Sequence, residues 1–296
     1  MLRIPKTKVQ HFFDAAVPPA AYAASGDTVT FCCQDCYNDQ IDREEIDLRV
    51  LHIPYYNPVT GPLYINDAHP GDVLKVEILQ IRLPEYGVMS VRDGTGSYRM
   101  EGSYTRLFPI EDNEICFDAG IRLPVRPMIG TIGTAPAQGT VISETPGEHG
   151  GNLDIKDLGE GVTLYLPVAV EGALLSMGDI HALQGDGETA ICGLETAGEI
   201  TVRVTVCRPD SYIPTPFIVT KDSYLTTAAD ASLDKASIAA ARKMHRFLQE
   251  YSPLNDKQCA MLLSLQGDLR ISQIVNPAKG CVLQFPKGIA GEQFDL

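Results

Sequence analysis

The densest run of chemically capable side chains is Ser176-Met177-Gly178-Asp179-Ile180-His181-Ala182-Leu183-Gln184-Gly185-Asp186-Gly187-Glu188. Asp179 and His181 stand two apart, so on an extended segment both project to one face. A carboxylate and an imidazole converging from one strand make half of a divalent-metal site. Gln184, Asp186 and Glu188 repeat the two-residue spacing with glycines between them. Glycine permits close backbone approach and positive φ, which suits a loop wrapped around a small ligand. A solvated turn and a plain Asp–His hydrogen bond would satisfy the same polar groups. An EF-hand is excluded, because its Asp-x-Asp-x-Asp-Gly order is missing.

Two further clusters carry polar chemistry. In Glu148-His149-Gly150-Gly151-Asn152-Leu153-Asp154, Asn152 and Asp154 share a face after a tight Gly-Gly turn; a turn leading into a strand is the simpler reading. In Gln34-Asp35-Cys36, Asp35 ends an otherwise apolar strand, where a carboxylate needs a partner. A metal is one such partner and a backbone cap is another. Eight cysteines are present, and Cys33-Gln34-Asp35-Cys36 is a lone CxxC with no second pair at zinc spacing. They read as reduced thiols. GxxxxGK[ST], G-x-S-x-G, HExxH and the Gly/Ser-rich serine-amidase signature are all missing from the sequence.

The elements that must position these residues are mostly strands. Glycine and proline punctuate short β-branched runs at 28–31, 73–81, 140–142, 163–170 and 199–207. In the last, Ile200, Val202, Val204 and Val206 alternate with Thr201, Arg203 and Thr205, the period of a half-buried antiparallel strand. Helical signals come late, over 232–250, with Ile238, Ala241, His245 and Leu248 on one side, and over 255–265. In the first, Asp234 early and Arg242, Lys243 and Arg246 later complement the helix dipole. No strand–helix alternation precedes them, which argues against a doubly wound parallel sheet. The fold class is mainly β (α+β): a β core over 1–210 and a smaller α+β portion over 211–296.

The 296 residues carry a formal charge of −14 and no basic run, so a nucleic-acid partner is excluded. The longest apolar stretch, 162–175, is interrupted by Pro167, Glu171 and Gly172, well short of the ~20 residues a membrane span needs. The N-terminus has no apolar signal region, and the expected location is cytoplasmic.

An ordered series of segments resembles the acetamidase/formamidase family. Gly26-Asp27-Thr28-Val29 with Asp35 resembles its opening strand, and Asn57 to Tyr64 with Pro70 to Leu74 its "PvTGP…PGDvL" hairpin. Gly130 to Pro136 resembles "iGviGvaP", and Gly150 to Asp154 "GGNmD". Leu164 to Val168 and Gly178 to Glu188 resemble "LylPV…GDgHaaqGdGE"; Cys192-Gly193, Glu195 and Ile271 to Val275 close the series. The resemblance implies a jelly-roll-like β-sandwich, hydrolysis of a short linear amide to carboxylate and ammonia, and a homo-oligomer, a dimer. It also implies a divalent metal, zinc first, with calcium or manganese as alternatives. Asp35, Asp179 and His181 become the metal candidates, and Asn152, Asp154, Gln184 and Asp186, with Glu195, the substrate-pocket lining. Glu195 or Glu188 would carry the proton from water to the leaving nitrogen. Where the family often has His before the proline, this chain has Asn57. Two other readings remain: a cysteine-nucleophile amidase or lactamase using Cys192 or Cys36, and a non-catalytic β domain that a metal orders.

Overall fold

The computed structural model describes residues 2–42, 46 and 51–294. Within them, runs of β-branched and aromatic residues become strands of two large sheets. The first sheet has nine strands in the order β1 (Leu2–Ile4), β5 (Thr28–Cys33), β18 (Gly198–Cys207), β7 (Val73–Arg82), β15 (Thr163–Pro167), β19 (Phe217–Val219), β20 (Ser223–Asp230), β22 (Lys279–Pro286) and β21 (Asp268–Gln273). The second follows β11 (Ile121–Pro124), β10 (Glu114–Asp118), β9 (Ser103–Glu111), β8 (Tyr86–Arg92), β17 (Leu194–Thr196), β16 (Leu175–Leu183), β12 (Met128–Gly133) and β14 (Gly150–Asn152). There β6 (Val59–Ile65) also joins β16, and β2 (Val9–Gln10) and β4 (Ala21–Ala23) pair with β6. The remaining pair is β3 (Phe12–Asp14) with β13 (Thr140–Ile142).

The expected alternation in β18 places Ile200, Val202 and Val204 inward, fully buried. They meet Phe31 of β5, Leu164 of β15 and, from the second sheet, Ile129, Met177 and Ile180 in one apolar core. The two sheets thus bury their facing sides against each other, the sandwich arrangement in which inner residues interdigitate. The 163–170 run stops as a strand at Pro167, which donates no ladder hydrogen bond.

The region after 210 does not start a new sheet. Its strands β19 to β22 extend the first sheet beyond β15. Two helices cover this extension, α1 (Leu233–Tyr251) and α2 (Asp256–Gln266). Asn255 caps α2 by accepting from the Gln258 amide, and the Gln258 side chain accepts in return. The buried face of α1 differs from the expected one. It is Ala236, Ala240, Met244, Phe247 and Leu248, and Ile238 is 51% exposed. The small alanines bring the helix close enough for Thr226 Oγ1 to donate to the Ala240 carbonyl at 2.7 Å. Met244 and Phe247 then bury far more apolar surface than Ile238 would, with Phe247 packed on Phe217 and Tyr224. The basic residues expected to face the dipole lie inside the helix, since it runs on to Tyr251 with no base in its last turn. No described helix is long and apolar enough to cross a membrane.

Candidate functional site

Strand β16 is central in its sheet and buried along nearly all its length. Ladders fix its register: His181 lies opposite Glu195 of β17, Gly178 opposite Thr131 of β12 and opposite Val59 of β6. Direct cross-strand partners point to one face, so His181 and Glu195 meet. Glu195 Oε1 lies 3.1 Å from His181 Nε2, and Asp179 Oδ1 lies 3.5 Å from it. On its other side, His181 Nδ1 faces Gln184 Oε1 at 2.7 Å. The Gln184 amide is oriented by donation from Nε2 to the Asp154 carbonyl at 2.8 Å. Gln184 Oε1 therefore accepts, Nδ1 carries a proton, and Nε2 is the nitrogen turned toward the carboxylates.

The backbone bends to collect these groups. Asp154, Asp179 and Glu188 have φ of 47°, 56° and 47°, and Ile191 has 95°. Aspartate tolerates the left-handed region, but a β-branched residue there is an outlier held by its surroundings. Glycine is required where the site is tightest. A Cβ on Gly130 would stand 2.6 Å from Asp179 Oδ2 and 2.9 Å from Asp154 Oδ1, and one on Gly193 2.7 Å from His181 Nδ1. The loop carrying Glu188 is tied to the end of β21. Gly187 donates to the Ser272 carbonyl at 2.9 Å, and Ile274 donates to the Gly187 carbonyl at 3.1 Å.

Four carboxylates converge on one imidazole, each less than a tenth exposed. Asp179 Oδ2 accepts from Asn57 Nδ2 (2.9 Å) and lies 3.1 Å from Thr131 Oγ1; Asp154 Oδ2 accepts from Asn276 Nδ2 (2.7 Å). Glu195 Oε1 accepts from the Gly193 amide at 3.1 Å. The opposite oxygens, Asp179 Oδ1, Asp154 Oδ1 and Glu195 Oε2, are buried with no hydrogen-bond partner. Burial, reinforced by the charge of Asp179, pushes Asp154 up to about 7. Burial also raises Glu195, and with the Asp154 charge it raises Glu188 well above the usual carboxylate range. Burial alone would lower His181, but the charges of Glu195 and Asp179 outweigh it and raise the imidazole well above its ordinary value.

Orphaned buried acceptors facing inward are what a cation removes. Asp154, His181 and Glu188 offer ligand atoms within 4.8 Å of one another, and so do Cys36, Asp179 and Glu195. The mixed carboxylate and imidazole donors suit a divalent ion.

The other expected residues fall in different places. Asn152 is in the cavity wall and its Oδ1 accepts from Thr131 Oγ1 at 2.7 Å. Gln184 orients the imidazole and borders the apolar cavity next to it. Asp35 serves as a backbone cap: its Oδ1 accepts from the amides of Tyr37 (2.9 Å) and Asp39 (2.8 Å). It borders a separate cavity on another side of Glu195 and is outside both ligand groups. Asp186 is not brought to the imidazole. It pairs with Lys156 (2.7 Å) and with Arg270 (3.0 Å), which also holds Asp157 (2.6 Å). The sequence reading overlooked Asn276, Thr131, Tyr37, Tyr56 and Arg92, and it assigned Asn57 no contact. The resemblance contained two signals, since Asn276 directly follows its last segment and Asn57 begins its hairpin.

Asp179, Glu188, Glu195 and His181 border a polar cavity of about 90 Å³, walled also by Asn57, Arg92 and Asn276. Glu188 and Cys192 border a second cavity as well, about 270 Å³ and mostly apolar. The thiols are unactivated: burial and the Glu195 charge raise Cys192 to about 12 and Cys36 well above its usual value.

A family model described as the acetamidase/formamidase family matches residues 5–145 and 139–291. The acetamidase of Bacillus halodurans superposes with a TM-score of 0.94 at 43% identity, covering 96% of this chain and 97% of that one. A predicted acetamidase/formamidase of Thermoanaerobacter tengcongensis superposes with a TM-score of 0.95 at 37% identity over 99% of both chains. The formamidase of Methylophilus methylotrophus is 27% identical over 250 residues, 64% of this chain and 61% of that protein. The chain thus spans about three-fifths of the length of the curated relatives it matches.

Proposed function

Because the chain belongs to the acetamidase/formamidase family, we propose that it hydrolyses a short linear amide to the carboxylate and ammonia in the polar cavity around His181. The observation that carries this reading is the set of three orphaned carboxylate oxygens beside an imidazole whose tautomer Gln184 has fixed. Asp154, Asp179 and His181 would hold the divalent ion, zinc before calcium or manganese, with Cys36 and Glu195 adjacent. When bound, the ion supplies a Lewis acid for the carbonyl and a more acidic water.

The chain's own residues supply the rest. Glu188 is the proton carrier: its carboxylate accepts no hydrogen bond from a described residue, and burial beside Asp154 raises its proton affinity, as suits a group that takes and returns a proton. Glu195 and Asp179 hold Nε2 of His181 from two sides. Asn57 and Asn276 each use an amide to fix one oxygen of a carboxylate, leaving the other turned inward. Asp35 supports the loop under Tyr37 and Cys36. A cysteine nucleophile is disfavoured, since both candidate thiols are raised away from the reactive thiolate. The reading also carries a cytoplasmic homodimer. Exposed Met261, Leu265 and Leu269, on α2 and the edge strand β21, offer an apolar face for it.

Ammonia release from formamide, acetamide and small lactams, with and without added zinc, tests the reading. Zinc-dependent turnover that is lost in Glu188→Gln and survives thiol alkylation is expected. Full turnover after metal removal overturns the metal, loss on alkylation restores the cysteine reading, and no turnover of any amide overturns the hydrolase.

A further inference from the structure

Beside the site lies an apolar cavity whose wall, Glu188 apart, takes no part in the proton chemistry. Its volume is about 270 Å³, three times that of the polar cavity, near the lower end of small-molecule pockets at roughly 300 Å³. The walls come from two regions distant in sequence. One is the sheet end β9–β10–β11, giving Phe108, Phe117 and Leu123; the other is the loop after β16 with β17, giving Leu183 and Leu194. Phe108 and Phe117 stack at 5.7 Å and 8°, and Arg106 lies 4.5 Å over Phe108, so the aromatic wall is ordered.

What makes this a site is its boundary. Glu188 and Cys192 line both cavities. Cys192 is held there by donation to the Ser90 carbonyl at 3.1 Å, and it touches Met89 sulfur at 3.7 Å. An amide bound against Glu188 has this chamber as the adjoining apolar surface. The polar cavity offers any carbon chain buried carboxylates instead, an unfavourable contact.

We propose that the chamber receives the apolar acyl substituent of the substrate, so that among linear amides those with a longer apolar acyl chain are preferred over formamide. The assignment rests on the amidase reading above. The amide group sits with Glu188 and His181, and the hydrocarbon part lies against Phe117, Leu123 and Leu194. Only the placement of the carbon chain is new; the hydrolysis is unchanged.

The test compares kcat/KM for acetamide, butanamide and hexanamide. Each methylene buried in the chamber should raise kcat/KM roughly fourfold. Leu123→Trp, which fills the chamber, should lower the hexanamide-to-acetamide ratio at least tenfold. A flat or falling series with acetamide still cleaved overturns the chamber and leaves the amidase reading standing. A second readout is independent of turnover. The chain has no tryptophan, so Phe117→Trp places a single indole on the chamber wall. Its emission should shift to the blue on titration with hexanamide and not with acetamide. That shift without cleavage of any amide supports the chamber and removes the amidase reading; no shift overturns the chamber.

Discussion

One short segment supplies two acidic groups that the fold treats in opposite ways. Asp186 is matched: Arg270 and Lys156 reach its carboxylate, Arg270 also holds Asp157, and these contacts lower its proton affinity although burial opposes them. Asp179 and Glu188, on either side of it in sequence, face Asp154, Glu195 and a single imidazole, and oxygens in that group have no partner. Placing carboxylates together in low dielectric without cations costs stability. The matched cluster fastens the loop; the unmatched one keeps inward-facing oxygens ready for a ligand.

The widest separation between the two clusters should be in activity. His181→Ala or Glu188→Gln should lower kcat/KM for the best amide ~10³-fold, about 4 kcal/mol of transition-state stabilisation. Asp186→Asn should cost less than about tenfold. An equal loss in all three would erase the distinction. In stability the order reverses. Arg270→Met leaves Asp186 and Asp157 without their shared cation and should lower the unfolding free energy by about 3 kcal/mol in urea titrations; Glu188→Gln should lower it by much less. Zinc at about 100 times its Kd should stabilise chelator-treated protein by about 3 kcal/mol, seen as a rise in Tm. Asp154→Asn should lose most of that rise and Asp186→Asn should keep it.

A smaller effect comes from a titratable group outside both clusters. His149 is buried against Phe13, and burial alone pushes its imidazole down to about 4. The fold therefore favours the neutral ring. Its contribution is present above the unfolded value near 6.5 and is lost as pH falls toward 4. Between pH 7.5 and 5 the loss should be about 2 kcal/mol, and His149→Phe should flatten that part of the stability–pH curve. An unchanged slope would show that the charged clusters alone set the acid sensitivity.

Period-two and turn signals marked five of the strands, β18 and β7 among them, because these alternate against one core and Pro and Gly mark their ends; most of the shorter strands carried no such pattern. The pair Asp179 and His181 was legible for the same reason, since adjacent positions on one strand face share a direction. Much of the site's remainder was not. Asn57, Thr131 and Asn276 reach the carboxylates from other strands and loops, and no local pattern encodes such a meeting. Asp35 and Asp186 show the converse. Two backbone amides occupy the first and Arg270 pairs with the second, which still borders the apolar cavity beside the site. The α1 face was misread because the sheet selects close approach through alanine over the hydrophobicity of Ile238.

The ties between the Glu188 loop and the end of β21 also set an order of events during synthesis. Ser272, Ile274 and Asn276 complete the site, and they lie more than eighty residues beyond the loop they fix. Such long-range pairings form slowly, since the connecting chain must first be closed. A ribosome-bound chain ending before them has Asp179, His181 and Glu195 but neither the clasp on Gly187 nor the amide that turns Asp154. The acidic centre is thus completed only when β21 and the turn after it dock on the Glu188 loop.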